Sequence, residues 1–428
     1  MIELETLPSG WTVAKLGELV ISEKGKKPKR VSKEKTKECS IPYVNIKAFE
    51  KNIIDEYTDG VGCVLCEDGD FLMVWDGSRS GYVGKAIKGA LGSTLVRIKL
   101  PLVNQDLTYY FLKSKFIEIN SRAKGVGIPH VDPNLLWNYD FPLAPLNEQK
   151  RILTKLEQLL TDLDKGIEYL ETTKQQLKVY RHAVLKWAFE GNWEIKPLGK
   201  VAIVKRGKSK HRPRNAPELF GGKYPFIQTG DVRAANGRVV KEYTETYSEF
   251  GLKQSKLWPK GTLCLTIAAN IADTAFLGFD ACFPDSVVGI TSDPNILNLE
   301  YVNFYIQKIK QEIEGKASAT AQKNINVEFL EALEVPVPNP IQQVKIVHDI
   351  ESRLSVCEKI EETIENSLQQ AEALSLSIIK KAFEGKLVPQ DPNDEPAEKL
   401  LERIRAAKGN GKIEKKVKTK SKPIKEKV

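Results

Sequence analysis

The sequence is short of the residues that build metal centres and redox sites. Among 428 residues there are six cysteines, four histidines and two methionines. The cysteines, at 39, 63, 66, 264, 282 and 357, are scattered through a long chain, which argues against a disulfide-knit scaffold and for reduced thiols. Cys63 and Cys66 form a lone CxxC. A structural zinc needs four ligands, and only Cys39 and His130 could complete the set, so the pair reads as two ordinary thiols near a turn. No apolar run approaches the length of a membrane span. The opening Met1-Ile2-Glu3-Leu4-Glu5 has no basic stretch followed by an apolar one, so no signal peptide and a cytoplasmic location are expected. Cofactor motifs are missing too. There is no GxxxxGK[ST] and no GxGxxG, since Gly125-Val126-Gly127 lacks the third glycine, and no Asn/Asp-Pro-Pro-Tyr/Phe as in amino-methyltransferases. Neither cofactor nor metal is expected.

Charge is less informative than its sum. The net charge is +9, but residues 408–428 hold nine lysines against Glu414 and Glu426, or +7, leaving +2 for everything before them. Local clusters therefore have to carry any argument about acidic partners.

What is present is a repeat. Ile152, Leu156, Leu159, Leu163, Gly166, Leu170, Thr173, Leu177, Tyr180, Val184 and Trp187 alternate steps of four and three, a heptad seam. Adding 194 gives Ile346, Ile350, Arg353, Cys357, Ile360, Ile364, Ser367, Ala371, Leu374, Ile378 and Lys381. Each run would make a helix of about 60 Å. One apolar stripe on such a helix must be buried, and the duplicate is the obvious partner. The segments before the helices are also related. Trp11, Leu16, Gly17 and Gly25 fall on Trp193, Leu198, Gly199 and Gly207 at an offset of 182, and Gly69 matches Gly261 at 192. The drift fits loop insertions between two diverged copies of one fold.

Runs at 71–75, 94–98, 262–267 and 286–290 read as strands, and 107–119 and 300–313 as amphipathic helices, so each copy is a compact α+β domain. Prolines 142, 145, 336, 338 and 340 set the long-helix starts, and Gly191 and Gly385 their ends. The expected layout is domain 1 at 1–145, helix 1 at 146–191, domain 2 at 192–339 and helix 2 at 340–386. A segment with a short helix (387–407) and a disordered lysine-rich tail (408–428) complete it.

Positive charge recurs at matched places. Lys24, Lys26, Lys27, Lys29 and Arg30 surround Gly25; Lys205, Arg206, Lys208, Lys210, Arg212 and Arg214 surround Gly207. Such loops suit phosphate contacts, although solvated lysine loops are the alternative. A second matched segment lies nearer each long helix. Arg122, Lys124 and His130 in one copy, and Gln322, Lys323 and Asn324 in the other, carry groups suited to phosphates or base edges. Arg79, Gln228, Thr229 and Arg233 are weaker candidates. Pro284-Asp285 with Glu314-Gly315-Lys316 imitates a nuclease metal pair, but Glu314 ends an expected helix and the first copy has no equivalent.

Taken together, the chain resembles the DNA-specificity subunit of type I restriction-modification systems. The resemblance rests on the domain, helix, domain, helix repeat and on Trp11-x4-Leu16-Gly17 with Trp193-x4-Leu198-Gly199. It rests also on Pro145-Leu146-Asn147-Glu148-Gln149, echoed by Pro340-Ile341-Gln342-Gln343, and on Ala382-Phe383-Glu384-Gly385-Lys386-Leu387-Val388-Pro389-Gln390 running into Asp394-Glu395-Pro396-Ala397. The resemblance implies two target-recognition domains reading a split, asymmetric site on double-stranded DNA. It implies that the long helices pair as an antiparallel coiled coil with pseudo-two-fold symmetry. It also implies a non-catalytic role, with two DNA adenine methyltransferase subunits and a restriction motor subunit as partners. A stand-alone two-domain endonuclease, which would cut DNA with metal, and a helical scaffold without DNA binding are the rival readings.

Overall fold

The computed structural model describes residues 7–125, 127–268, 270–318 and 325–418. They fall into two compact units, Met1–Tyr169 with Ser367–Val428, and Leu170–Asn366. The architecture is α+β, with two similar domains, each followed by a long helix.

The first domain is built on an antiparallel sheet of β1 (Ile21–Lys24), β2 (Phe71–Val74), β3 (Val83–Lys85) and β4 (Leu95–Lys99), in the order β1-β4-β2-β3. It is followed by α1 (Gln105–Ser114) and then α2 (Leu146–Ala188). The second domain repeats the sheet with β5 (Ile203–Arg206), β6 (Leu263–Thr266), β7 (Thr274–Leu277) and β8 (Val287–Thr291), ordered β5-β8-β6-β7 with Val239–Val240 added at the far edge. There α3 (Leu299–Lys308) leads to α4 (Pro340–Phe383), and α5 (Ala397–Lys418) ends the described chain. Each domain is closed by a two-stranded antiparallel ribbon, Thr12–Lys15 with Asp140–Leu143 and Ile195–Pro197 with Glu334–Pro336. Such a ribbon tolerates Pro142 and Pro336, because its strands have free edges.

The amphipathic helices expected at 107–119 and 300–313 are each interrupted. α1 stops at Lys115 and resumes as Phe116–Ser121; α3 stops at Ile309 and resumes as Lys310–Ser318. The restart returns Ile119 and Ile313 to the core, where both are buried. α5 runs beyond Ala407, where a disordered tail was expected to begin. Residues 397–408 are mostly good helix formers, no proline occurs between Pro396 and Pro423, and Ile404 packs into the first core. The Lys408 ammonium also donates to the carbonyls of Gly17 and Val20, at 3.0 and 2.6 Å. The last ten residues of the tail, 419–428, lie outside the described residues.

The long helices pair antiparallel in both units. In the first, Ile152, Leu156 and Leu160 share a core with Ile378, Ile379, Ala382 and Phe383; in the second, Leu185 and Ala188 share one with Val347 and Ile350. One line of the expected seam is in place, with Leu156, Leu163, Leu170, Leu177 and Val184 facing inward and Ile350, Cys357, Ile364, Ala371 and Ile378 all buried. The other line is displaced by one residue. Leu160, Ile167, Lys174, Arg181 and Ala188 face inward, as do Leu354, Glu361, Leu368, Ser375 and Ala382. Ile360 and Leu374, assigned to the seam from spacing, are 38% and 50% exposed. Ile152 stays buried, while Leu159 and Ile346 pack only partly against their domains.

Helix geometry explains the shift. Positions three and four residues after a seam residue lie about 60° to one side and about 40° to the other, so exchanging them turns the contact face by about 50°. The turn keeps Arg353 and Lys381 out of the interface, where unpaired charge is costly. Arg353 instead lays its guanidinium on the exposed Trp187 ring, 4.6 Å from its centroid. In return the seam takes in a forked ion pair, Arg181 Nε and Nη2 to Glu361 at 3.2 and 2.9 Å. Replacing Ile364 by alanine should therefore destabilise the chain by about 2–3 kcal/mol. Replacing Ile360 should cost under about 1 kcal/mol. Denaturant midpoints check this, and the reverse ranking would restore the unshifted seam.

Candidate nucleic-acid interface

Both cationic loops leave the sheet through a glycine that nothing else can replace. Gly25 N–H donates to Leu95 O at 3.0 Å and Gly207 N–H to Val287 O at 2.9 Å. A Cβ at Gly25 would lie 2.1 Å from the Gly92 carbonyl oxygen, and one at Gly207 2.3 Å from that of Pro284. Backbone against backbone leaves no room for a side chain. The loops therefore depart from equivalent strands, β1 and β5, at equivalent points.

The cations in them divide into held and free. In the first domain Lys24 pairs with Asp76 at 2.8 Å and Arg30 with Glu38 at 3.8 Å. Lys26, Lys27 and Lys29 are exposed and have no ion pair among the described residues. In the second, Arg214 pairs with the Asp285 carboxylate at 2.7 Å, Arg206 donates to the Asp285 carbonyl, and Arg212 donates to the carbonyls of Ser209 and His211, both at 2.7 Å. Lys205, Lys208 and Lys210 are exposed and equally unpaired among those residues.

The second segment joins the first loop in domain 1. Lys124 and His130 exchange backbone hydrogen bonds of 2.9 and 2.8 Å, and the His130 backbone lies opposite that of Asp76, the residue whose side chain holds Lys24, in an isolated β-bridge. Lys124 pairs with Asp132 at 2.7 Å and holds that carboxyl below its usual range. Arg122 lies 3.9 Å from Glu118, while Arg79 pairs with Glu50 at 3.0 Å and covers the Tyr82 ring at 4.1 Å. In domain 2, Gln228 caps the helix Thr229–Ala235 in a capping box with Asp231, and its amide donates to Glu245 at 2.6 Å. Thr229 is the first residue of that helix, and Arg233 donates to Asn270 at 2.8 Å. Gln322, Lys323 and Asn324 lie outside the described residues.

The motif around Glu148 is a structural junction. Glu148 is buried, and its two oxygens accept from Trp11 Nε1 and Gln390 Nε2, each at 3.0 Å. Arg151 beside it donates to Asp394 at 2.6 Å and keeps that carboxyl below its usual range. A cavity of about 640 Å³ opens here, lined by Pro8, Trp11, Glu148, Gln390 and Asp394 among others. One residue further on, a buried glutamine does the same work in both units. Gln149 accepts from Asn104 N–H at 3.0 Å, and Gln343 from Asn298 N–H at 2.7 Å. Those asparagines are the N-caps of α1 and α3. Gln342, by contrast, is exposed, so the Glu148 junction belongs to the first unit.

Asp285 is engaged by arginines and Glu314 lies within a helix, 3.9 Å from Lys310. Among the described residues no group of three or more His, Cys, Asp or Glu could hold a metal, and no helix is long and apolar enough to cross a membrane. Cys66 donates to the carbonyls of Ile87 and Gly89 at 3.4 and 3.5 Å, and burial pushes its thiol up to about 11.

A sequence model of the type I restriction modification DNA specificity domain matches residues 8–178 and again 190–370. The chain belongs to that family. It is 31% identical over 219 residues to the MjaVIII specificity subunit of Methanocaldococcus jannaschii, covering 47% of this chain and 51% of that one. The chain thus spans about half the length of that relative. With the EcoBI specificity subunit of Escherichia coli it is 25% identical over 391 residues, 81% of this chain and 82% of the other. A chain from a structural study of complex assembly and conformational transition in a type I restriction-modification system superposes with a TM-score of 0.73 at 18% identity. It covers 89% of this chain and 99% of its own length, which supports the fold. Family membership makes this a specificity subunit concerned with DNA sequence recognition, not the catalytic part of such a system.

Sequence reasoning overlooked two features of this specificity subunit. Gln149 and Gln343 were visible only as letters of a motif, although their matched spacing could have marked them. Lys256, whose ammonium lies over the Trp258 ring 3.6 Å from its centroid, was missed because its basic neighbours in sequence are only Lys253 and Lys260. Replacing Glu148 by alanine should strand the Trp11 and Gln390 donors and cost about 1–3 kcal/mol. The same change at exposed Gln342 should stay within about 0.5 kcal/mol. Equal losses in chemical unfolding would contradict the junction.

Proposed function

We propose that the chain binds double-stranded DNA through both domains, each reading one half of a bipartite, asymmetric site. Bound there, it directs two adenine methyltransferase subunits and a restriction motor subunit to that site. The observation that carries this reading is the unpaired lysine set at equivalent glycine-anchored loops, Lys26, Lys27 and Lys29 in one domain and Lys205, Lys208 and Lys210 in the other. Exposed ammonium groups without carboxylate partners are free to replace the counterions of a phosphate backbone. The differing side chains around the two loops favour unlike half-sites.

Replacing Lys205, Lys208 and Lys210 together by alanine should weaken binding to every duplex. The slope of log affinity against log salt should become shallower by about 0.9 for each phosphate that is no longer neutralised. Unchanged affinity and slope in a salt titration would sink the phosphate role. Gln322 and Asn324 are proposed as base readers of the second half-site. Replacing either should relax preference at that half alone, as a binding-site selection would reveal; relaxation of both halves argues against the assignment. Co-purification of methyltransferase subunits with the chain tests the recruitment step.

A further inference from the structure

Resting on that DNA-binding reading, we propose that Lys205, Lys208 and Lys256 form a phosphate cradle in the second domain that the first domain lacks. Lys256 follows the helix Glu249–Gln254, far from Lys205 in sequence. Two hydrogen bonds stitch the segments together: Ser255 Oγ donates to Lys208 O at 2.9 Å, and Lys210 N–H to Gln254 O at 3.1 Å. The Lys256 ammonium sits over the Trp258 ring, 3.6 Å from its centroid. That ring is buried, stacked on Phe283 at 4.9 Å, and the Trp258 backbone exchanges hydrogen bonds with Ala281 at 2.9 and 3.0 Å. The ammonium therefore rests on a fixed platform.

No carboxylate among the described residues balances the three charges. None has an ion pair among the described residues. Burial, then repulsion from Lys205 and Lys208, moves Lys256 below the usual lysine range. An anion between them would relieve both penalties.

The first domain shows what the cradle replaces. In its sheet, Glu23 faces Arg97, and Arg97 bonds both Glu23 and Asp70, with 3.0 Å from Nε to Glu23 and 2.9 Å from Nη1 to Asp70. At the equivalent register of the second sheet, Lys205 faces Gly289. The missing side chain admits the tryptophan, since a Cβ at Gly289 would lie 2.6 Å from Trp258 Cζ3. Aligned through Gly69 and Gly261, Asp70 becomes Thr262 and Val64 becomes Lys256. An ion-pair network of net zero, Glu23 and Asp70 against Arg97 and Lys99, has thus given way to two added lysines of net +2, Lys205 and Lys256, on an aromatic floor.

The test uses the full chain, several mixed-sequence duplexes and a salt series, with Lys256→Ala, Lys256→Gln and Lys256→Arg. The glutamine variant keeps a stem over Trp258 and removes only the charge. Loss of charge should lower affinity roughly fivefold on every duplex and flatten the salt slope by about 0.9, while the arginine variant retains both. Wild-type affinity and slope in the glutamine variant would overturn the cradle, as would a loss confined to one duplex, which would make Lys256 a base reader. If the unaltered chain shows no salt-dependent binding at all, the underlying DNA-binding reading fails instead.

Discussion

An apolar stripe along a helix of 43 or 44 residues cannot stay in water, and the fold follows from how two such stripes cover each other. Because the pairing is antiparallel, each compact unit holds one domain, the start of one long helix and the end of the other. Besides apolar packing, a matched buried side chain ties each domain to its helix. Gln149 and Gln343 reach from the first turn of each helix to the backbone of the asparagine that caps the domain's own helix. A buried amide must satisfy all its hydrogen-bonding groups, and few orientations of the helix allow that. Apolar burial holds the helices together, while these amides fasten each domain to the start of its long helix.

Within that repeated frame, charge is where the halves part company. The loops share their origin, anchored by Gly25 and Gly207, but the sheets beneath them differ. The first keeps its cation Arg97 enclosed by two carboxylates, whereas the second presents Lys256 above a tryptophan. Two copies of one scaffold can therefore carry unlike surface charge without any change in backbone plan.

How far the sequence could be read depended on the kind of signal. Spacing revealed the repeat, the α+β domains and one line of the seam, because period and glycine placement are local properties. It misplaced the other line, since steps of three and four are both consistent with a heptad and only the cost of burying Arg353 and Lys381 separates them. The breaks at Lys115 and Ile309 were illegible because the helix pattern continues across them. Lys256 was illegible for a different reason: its role depends on the Trp258 ring, which finds room only because the sheet has Gly289 beneath it. The cationic loops were legible as composition, but which of their cations are already neutralised required the positions of Asp76 and Asp285.

The junction at Glu148 has a topological meaning. Residues 8–11 and 385–404 are fastened to one another as well as to the long helix: Ala397 N–H donates to Gly10 O at 2.8 Å, and Gly385, at φ +66°, packs against Pro8. The backbone path through the first unit thus closes on itself like a buckled belt. The strength of that closure depends on contacts between segments nearly four hundred residues apart in the chain, so the first unit is complete only when both are in place.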